Sequence, residues 1–216
     1  MSGKPAVRIT DAVSHPLPPV LTGGPVSPNV MIGGLPAWLG INPAAAAVLQ
    51  QVKKVTDQVI QVAEKATQGA SGTPAQPGLK AAEEATKAAI AGSLGGMVSS
   101  MAAGASIHAC TTPYPPIPHG PGVVIDASTS VQINFMPACF QGNQLLEPLG
   151  PPNKITMGCP TVMIGSGPPP KVSVDAGQAA AKMKADAAKS AEKAKDKADE
   201  EERKKREEAE KAKDDD

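Results

Sequence analysis

Six side chains in this chain are of the types that ligate transition metals: His15, His108, His119, Cys110, Cys139 and Cys159. All three histidines lie in Pro- and Gly-rich stretches. Two of them flank the loop HACTTPYPPIPHG, His108 to Gly120. Taken singly, each histidine reads as a surface group and each cysteine as a small buried hydrophobe. Cys110 follows His108 by two residues, so the two share a face only on an extended strand. Glu147 is a further oxygen candidate. Three imidazoles and a water also form a hydrolytic pattern in some zinc enzymes, but Glu147 is the one general base near these residues. GxSxG, HExxH and phosphate-loop motifs are absent, so the chain is expected not to be an enzyme.

The elements that must position these residues come from a short repeated phrase. SPNVMIGGLPAWLG runs from Ser27 to Gly40, STSVQINFMPACFQG from Ser128 to Gly142, and CPTVMIGSGPPP from Cys159 to Pro170. Aligned on Val30, Val131 and Val162, each continues with Ile32, Ile133 or Ile164. Each then reaches a turn residue at Gly33, Asn134 or Gly165 and a proline at Pro36, Pro137 or Pro168. A unit this short cannot bury its own apolar face, so the three must pack on one another around a shared axis.

Between the first and second phrases lies a stretch of different character. Val48, Val52, Val55, Val59 and Val62 recur at spacings of four and three, as do Ile90, Leu94, Met97 and Met101. The turn sequence GTPAQP at positions 72–77 separates them, which predicts an antiparallel helical hairpin. Positions 88–107 carry no charge, and Gly92 and Gly96 have GxxxG spacing. The expected arrangement is close packing of this helix on the valine seam rather than a membrane span. From about residue 175 the chain is almost wholly Ala, Lys, Glu, Asp and Arg, a solvated helix or a disordered tail. The resulting division is 1–43 and 107–174 for a β-unit, 44–106 for the inserted hairpin and 175–216 for the tail.

Composition sets limits on the core. The chain has 216 residues, only four aromatic ones, and 44 Gly plus Pro, so a sizeable core is out of reach and a staple is needed. Formal net charge is zero, and no nucleic-acid partner is expected. The first residues lack the apolar run of a secretory leader, and three unpaired cysteines do not suggest a disulfide framework. The expectation is synthesis in a reducing cytoplasm.

The three phrases resemble the PAAR-repeat family, the tips of contractile injection machines such as type VI secretion systems. SPNVMIGGLPA, TSVQINFMPA and CPTVMIG match the family phrase. AVRITDAVSH, Ala6 to His15, is similar to its opening, and IPHGPGVVI, Ile117 to Ile125, to its His-Gly loop. The match covers residues 5–43 and 107–170, about half the chain. The resemblance implies a mainly β fold, a small three-sided cone of three repeats whose base caps a trimeric valine-glycine repeat spike. It implies zinc near the vertex, held here by His15, His108 and His119. The family's fourth ligand, a cysteine, would fall near Leu146–Gly150, where none occurs; Cys110, Cys139, Cys159 and Glu147 remain as alternatives. The implied function is a non-enzymatic tip that sharpens the spike for puncture of a target membrane, with effectors or adaptors carried through the hairpin or tail. It would be made in the cytoplasm and then assembled and secreted. The alternative is a non-enzymatic effector whose hairpin acts on membranes.

Overall fold

The computed structural model describes residues 3–115, 117–165 and 167, and scattered positions between 181 and 204. The first strand, β1, is Lys4–Ala6, followed by the hairpin β2 (Met31–Ile32) and β3 (Leu35–Pro36). Helices α1 (Pro43–Gly69) and α2 (Gln76–Ala102) come next. Then follow β4 (Ile107–Tyr114), β5 (Ile117–Val124), β6 (Gln132–Ile133), β7 (Met136–Pro137), β8 (Gln144–Leu146), β9 (Asn153–Lys154) and β10 (Cys159–Ile164). Among the described residues, sheet pairing is antiparallel throughout, with one four-stranded sheet, β4-β5-β8-β9, and three two-stranded ones. The expectation of a mainly β protein is corrected to a small mixed fold: 39% of it is helical against 26% strand. The reason is length, since α1 and α2 have 27 residues each and, among the described residues, no strand has more than eight.

The three phrases meet as the repeat argument requires. Met31 pairs with Pro36 and Ile32 with Leu35 in the first; Gln132 pairs with Pro137 and Ile133 with Met136 in the second. In the third, Met163 pairs with Pro5 and Ile164 with Lys4. The return arm of the third phrase is therefore β1, more than 150 residues upstream. Pro168, the proline aligned from sequence, lies outside the described residues; Pro5 occupies the place of Pro36 and Pro137. Alignment along the chain could not show this, because the two arms of that unit are not contiguous.

After the three prolines come Ala6, Ala37 and Ala138, all fully buried, and then Val7, Trp38 and Cys139, also fully buried. The last three close a ring of backbone hydrogen bonds. Val7 N–H donates to the Cys139 carbonyl (2.9 Å), Cys139 N–H to that of Trp38 (3.3 Å), and Trp38 N–H to that of Val7 (3.0 Å). Each unit thus satisfies one backbone group of the next. Neighbouring phrases are tied by side chains as well: Asn134 donates to Asn29 (2.9 Å), and Ser128 donates to the Gly165 carbonyl (2.6 Å).

The inserted stretch forms the expected hairpin. Asn42 caps α1 by accepting the Ala44 N–H at 2.8 Å, and Pro43 suits the first turn, where its missing N–H costs nothing. The buried face differs from the valine seam. Leu49, Val52, Thr56 and Ile60 are buried, Val48, Val55 and Val59 only partly, and Val62 is exposed. On α2 the buried row is Ile90, Leu94, Val98 and Ala102. Both rows are set by two neighbours at once, the partner helix and the β-body: Leu49, Val52, Leu94 and Val98 share a core with Val123 and Leu146. The GxxxG expectation is also corrected. Gly92 and Gly96 face open space, whereas Gly95 approaches Pro121 and Pro148 of the β-body. No described helix is long and apolar enough to cross a membrane. In the tail, described positions between 181 and 204 are helical, with an exposed Lys204–Glu200 ion pair; the rest of the tail lies outside the described residues.

Removing residues 1–6 leaves β10 without its partner and uncovers Ile164, Ala37 and Ala138. The expected outcome is a fall in the thermal midpoint of about 10 °C or more, which corresponds to roughly 3 kcal/mol at this chain length. An unchanged midpoint in a melting scan would show that the third unit does not need β1.

Candidate metal centre

Strand β4 is extended, so His108, Cys110 and Thr112 alternate with exposed residues and point to one side, all buried. β5 returns antiparallel and carries His119, and Gly122 pairs with His108. β8 pairs with β5, and Glu147 follows it directly. The loop after Val13 brings His15 over the same spot, held where Thr111 N–H donates to the Leu17 carbonyl (3.2 Å) and Leu17 N–H to Thr112 Oγ1 (3.1 Å). His15, His108, Cys110 and Glu147 thereby form one buried group whose potential ligand atoms all lie within 4.8 Å of one another. Gly122 makes room for it: a Cβ there would stand 2.9 Å from Glu147 Cγ.

The two carboxylate oxygens of Glu147 differ. Oε2 accepts from His119 Nδ1 (2.7 Å) and from Asn153 Nδ2 (2.6 Å). Oε1 is buried with no hydrogen-bond partner and stands 3.5 Å from His15 Nε2. A buried carboxylate oxygen without a partner is costly, and a cation among the four ligand atoms would satisfy it. Two neutral imidazoles, a thiolate and a carboxylate carry two negative charges, which balance a divalent ion. Tetrahedral ligation at 2.0–2.3 Å separates ligand atoms by about 3.3–3.8 Å. The His15–Glu147 separation fits that range, while the two histidine Nε2 atoms, at 2.8 Å, must spread on binding. The group can therefore hold a metal ion.

The protons of the ion-free cluster follow from its hydrogen bonds. Thr22 N–H donates to His108 Nδ1 (3.2 Å), so the neutral His108 ring keeps its proton on Nε2 and donates it to His15 Nε2. His15 then carries its own proton on Nδ1 and donates to Thr112 Oγ1 (3.2 Å), whose hydroxyl donates to the Leu17 carbonyl (2.7 Å). Burial depresses both imidazoles, that of His108 to about 4 with His15 adding to the effect; at His15 the Glu147 charge opposes it. Burial, with the Glu147 charge, pushes the Cys110 thiol up to about 11. Metal binding must displace the Cys110 proton, and the proton that His108 holds toward His15 must also leave or move.

Of the residues singled out from sequence, His15 and His108 belong to the group, as do Cys110 and Glu147 from the four alternatives. His119 stands behind Glu147 with its Nδ1 on Oε2, and its ring meets Tyr114 edge-on at 5.9 Å. Gly150, at φ +75°, lies close under His119 Nε2, where a side chain would collide. Cys139 is in the backbone ring, and burial raises its thiol well above the ordinary range. Cys159 takes the position of Ser27 and Ser128 in its phrase, 3.2 Å from Thr161 Oγ1; that hydroxyl, with Arg8 nearby, lowers its pKa. Sequence reasoning did not find Thr22, Thr112 and Asn153, which carry no metal-ligand signal of their own.

Together these features define a class: a small mixed α and β fold with several small antiparallel sheets and a buried two-histidine, cysteine and glutamate group able to bind a metal ion. No protein-family model, no curated protein and no solved structure matches the chain.

Two outcomes are expected. His108→Ala and Cys110→Ala abolish one-to-one metal binding in a titration, whereas His119→Ala weakens it about 10- to 100-fold, as is usual for a group that orients a ligand. Equal abolition by His119→Ala would make His119 a ligand itself. In the ion-free protein, His108 titrates below its unfolded value of 6.5, so its folded state binds fewer protons than the unfolded one. The stability it contributes is complete above pH 6.5 and is lost as pH falls toward 4, by roughly 3 kcal/mol. Denaturant midpoints in chelator across that window check this, and His108→Gln should flatten the dependence.

Proposed function

We propose that this protein is the metal-stabilised tip of a contractile injection apparatus, one copy seated on the end of a trimeric valine-glycine repeat spike. The supporting observation is the backbone ring that joins the three units, together with the apolar side chains they expose. Met31 and Met163 are each 56% exposed at equivalent places in the first and third units, and Phe135 is 93% exposed at the turn of the second. Exposed apolar side chains on each of three units suit contact with the three chains of a trimer, with backbone edges of the short strands available for pairing. In this reading the three units form the cone of the PAAR-repeat family. The metal is zinc, consistent with mixed nitrogen, sulfur and oxygen ligands, and it satisfies the buried Glu147 oxygen that has no hydrogen-bond partner. No catalytic step is assigned. The hairpin and tail serve as attachment points for effectors or adaptors. The chain is made in the cytoplasm and leaves it on the spike.

Phe135 provides the sharpest test. Its φ of +66° belongs to a turn that the first unit makes with Gly33 and Gly34, and a bulky residue there is strained by about 1 kcal/mol. An exposed, strained aromatic is retained at a cost to the free molecule and suits an anchor for a partner. Phe135→Gly is therefore expected to raise stability slightly while weakening spike binding about tenfold or more. The measurement is co-elution with a purified trimeric spike from the same genome, with light scattering for stoichiometry. One chain per trimer, reduced in the variant, supports the tip; separate elution of the two wild-type proteins overturns it.

A further inference from the structure

We infer that the helical hairpin is part of the metal centre's positioning apparatus, acting on Glu147 through Leu149 and Pro148. The inference rests on the reading of His15, His108, Cys110 and Glu147 as a metal site, and is independent of the spike.

The segment from Glu147 to Leu149 faces two ways. Glu147 turns inward and aims Oε1 at His15. Two residues on, Leu149 is fully buried between Ile60 of α1 and Ile90 of α2. Pro148, between them, lies against Gly95 of α2 and Gly120 of β5. Leu149 N–H donates to the His119 carbonyl (3.2 Å), so the residue that fixes Glu147 Oε2 is tied to the residue that anchors on the hairpin. A second route runs through Tyr114. Its ring meets His119, its hydroxyl donates to Glu64 of α1 (3.2 Å), and Lys87 of α2 sits 5.1 Å over its face. Lys87, itself buried, bonds Glu64 at 2.9 Å and Glu83 at 2.6 Å.

Both routes end on the one carboxylate, and each crosses from the ligand side to both helices. A metal held by Glu147 therefore restrains the peptide that the hairpin grips, and the docked hairpin restrains the carboxylate that the metal needs. Coupling of this kind is reciprocal: whatever factor hairpin docking adds to metal affinity, the metal adds to hairpin docking. Leu149 is a positioning residue, since it touches no ligand atom.

The test uses the full chain with cobalt(II) as the probe metal, because its absorption reports ligand geometry and the thiolate bond. Leu149→Ala is expected to weaken cobalt binding about tenfold or more and to alter the spectrum at saturation, with Leu149→Met restoring both. Hydrogen exchange on the wild type is expected to slow around Ile60 and Ile90 when metal is added, although neither touches the site. Leu149→Ala with wild-type affinity and spectrum overturns the inference, as does hairpin exchange indifferent to bound metal. A folded wild type that binds no cobalt overturns the metal reading and this inference with it, and leaves spike binding to be judged separately.

Discussion

The organising constraint of the molecule is a carboxylate, Glu147, with no exposure to water. An ionised group in that position is costly unless every lone pair finds a partner. The surroundings read as a response to that cost. Gly122 gives up a side chain so that the Glu147 stem can pass, and Gly150 does the same for the His119 ring. His119 and Asn153 take one oxygen, and the other is left facing two imidazoles and a thiol. The strands that deliver these groups are pinned by backbone pairing, so the cluster is set by the sheet and not by flexible loops alone.

The β-body reaches its order with little apolar material. Its buried residues are mostly Ala, Val, Leu and Ile around a single Trp38, which suits a chain with four aromatics. The ring formed by Val7, Trp38 and Cys139 lets three short units share backbone hydrogen bonds that none could satisfy alone. Around this body the helices supply what the strands lack, a long apolar face built from Leu49, Val52, Leu94 and Val98.

Much of this was legible in the sequence because it depends on local pattern. The phrases around Val30, Val131 and Val162 gave away three equivalent units, and the change of period after Pro43 gave away the hairpin. The i,i+2 spacing of His108 and Cys110 held the key to the site, once β4 proved to be extended. What was not legible depends on long-range pairing. Pro5 stands 158 residues from its partner Met163, so nothing local marks it as the third proline. The helix seam rotated away from the valines because the β-body competes with the partner helix for the buried face. That Glu147 turns one oxygen to the histidine–cysteine group and the other to His119 needs the two oxygens of one carboxylate to be told apart, and spacing carries no such information.

The split third unit also bears on how the chain is made. One arm lies at positions 4–6 and the other at 159–164, so a ribosome adding 5–20 residues per second keeps the first arm waiting roughly 8 to 30 seconds for its partner. The first hairpin and both helices can form in that interval, but the third unit cannot close. Closure joins distant ends of the chain, and contacts of that separation are slow to form. The nascent chain therefore passes through a long-lived open stage, with an unpaired strand edge and uncovered alanines, before the last unit completes the circle.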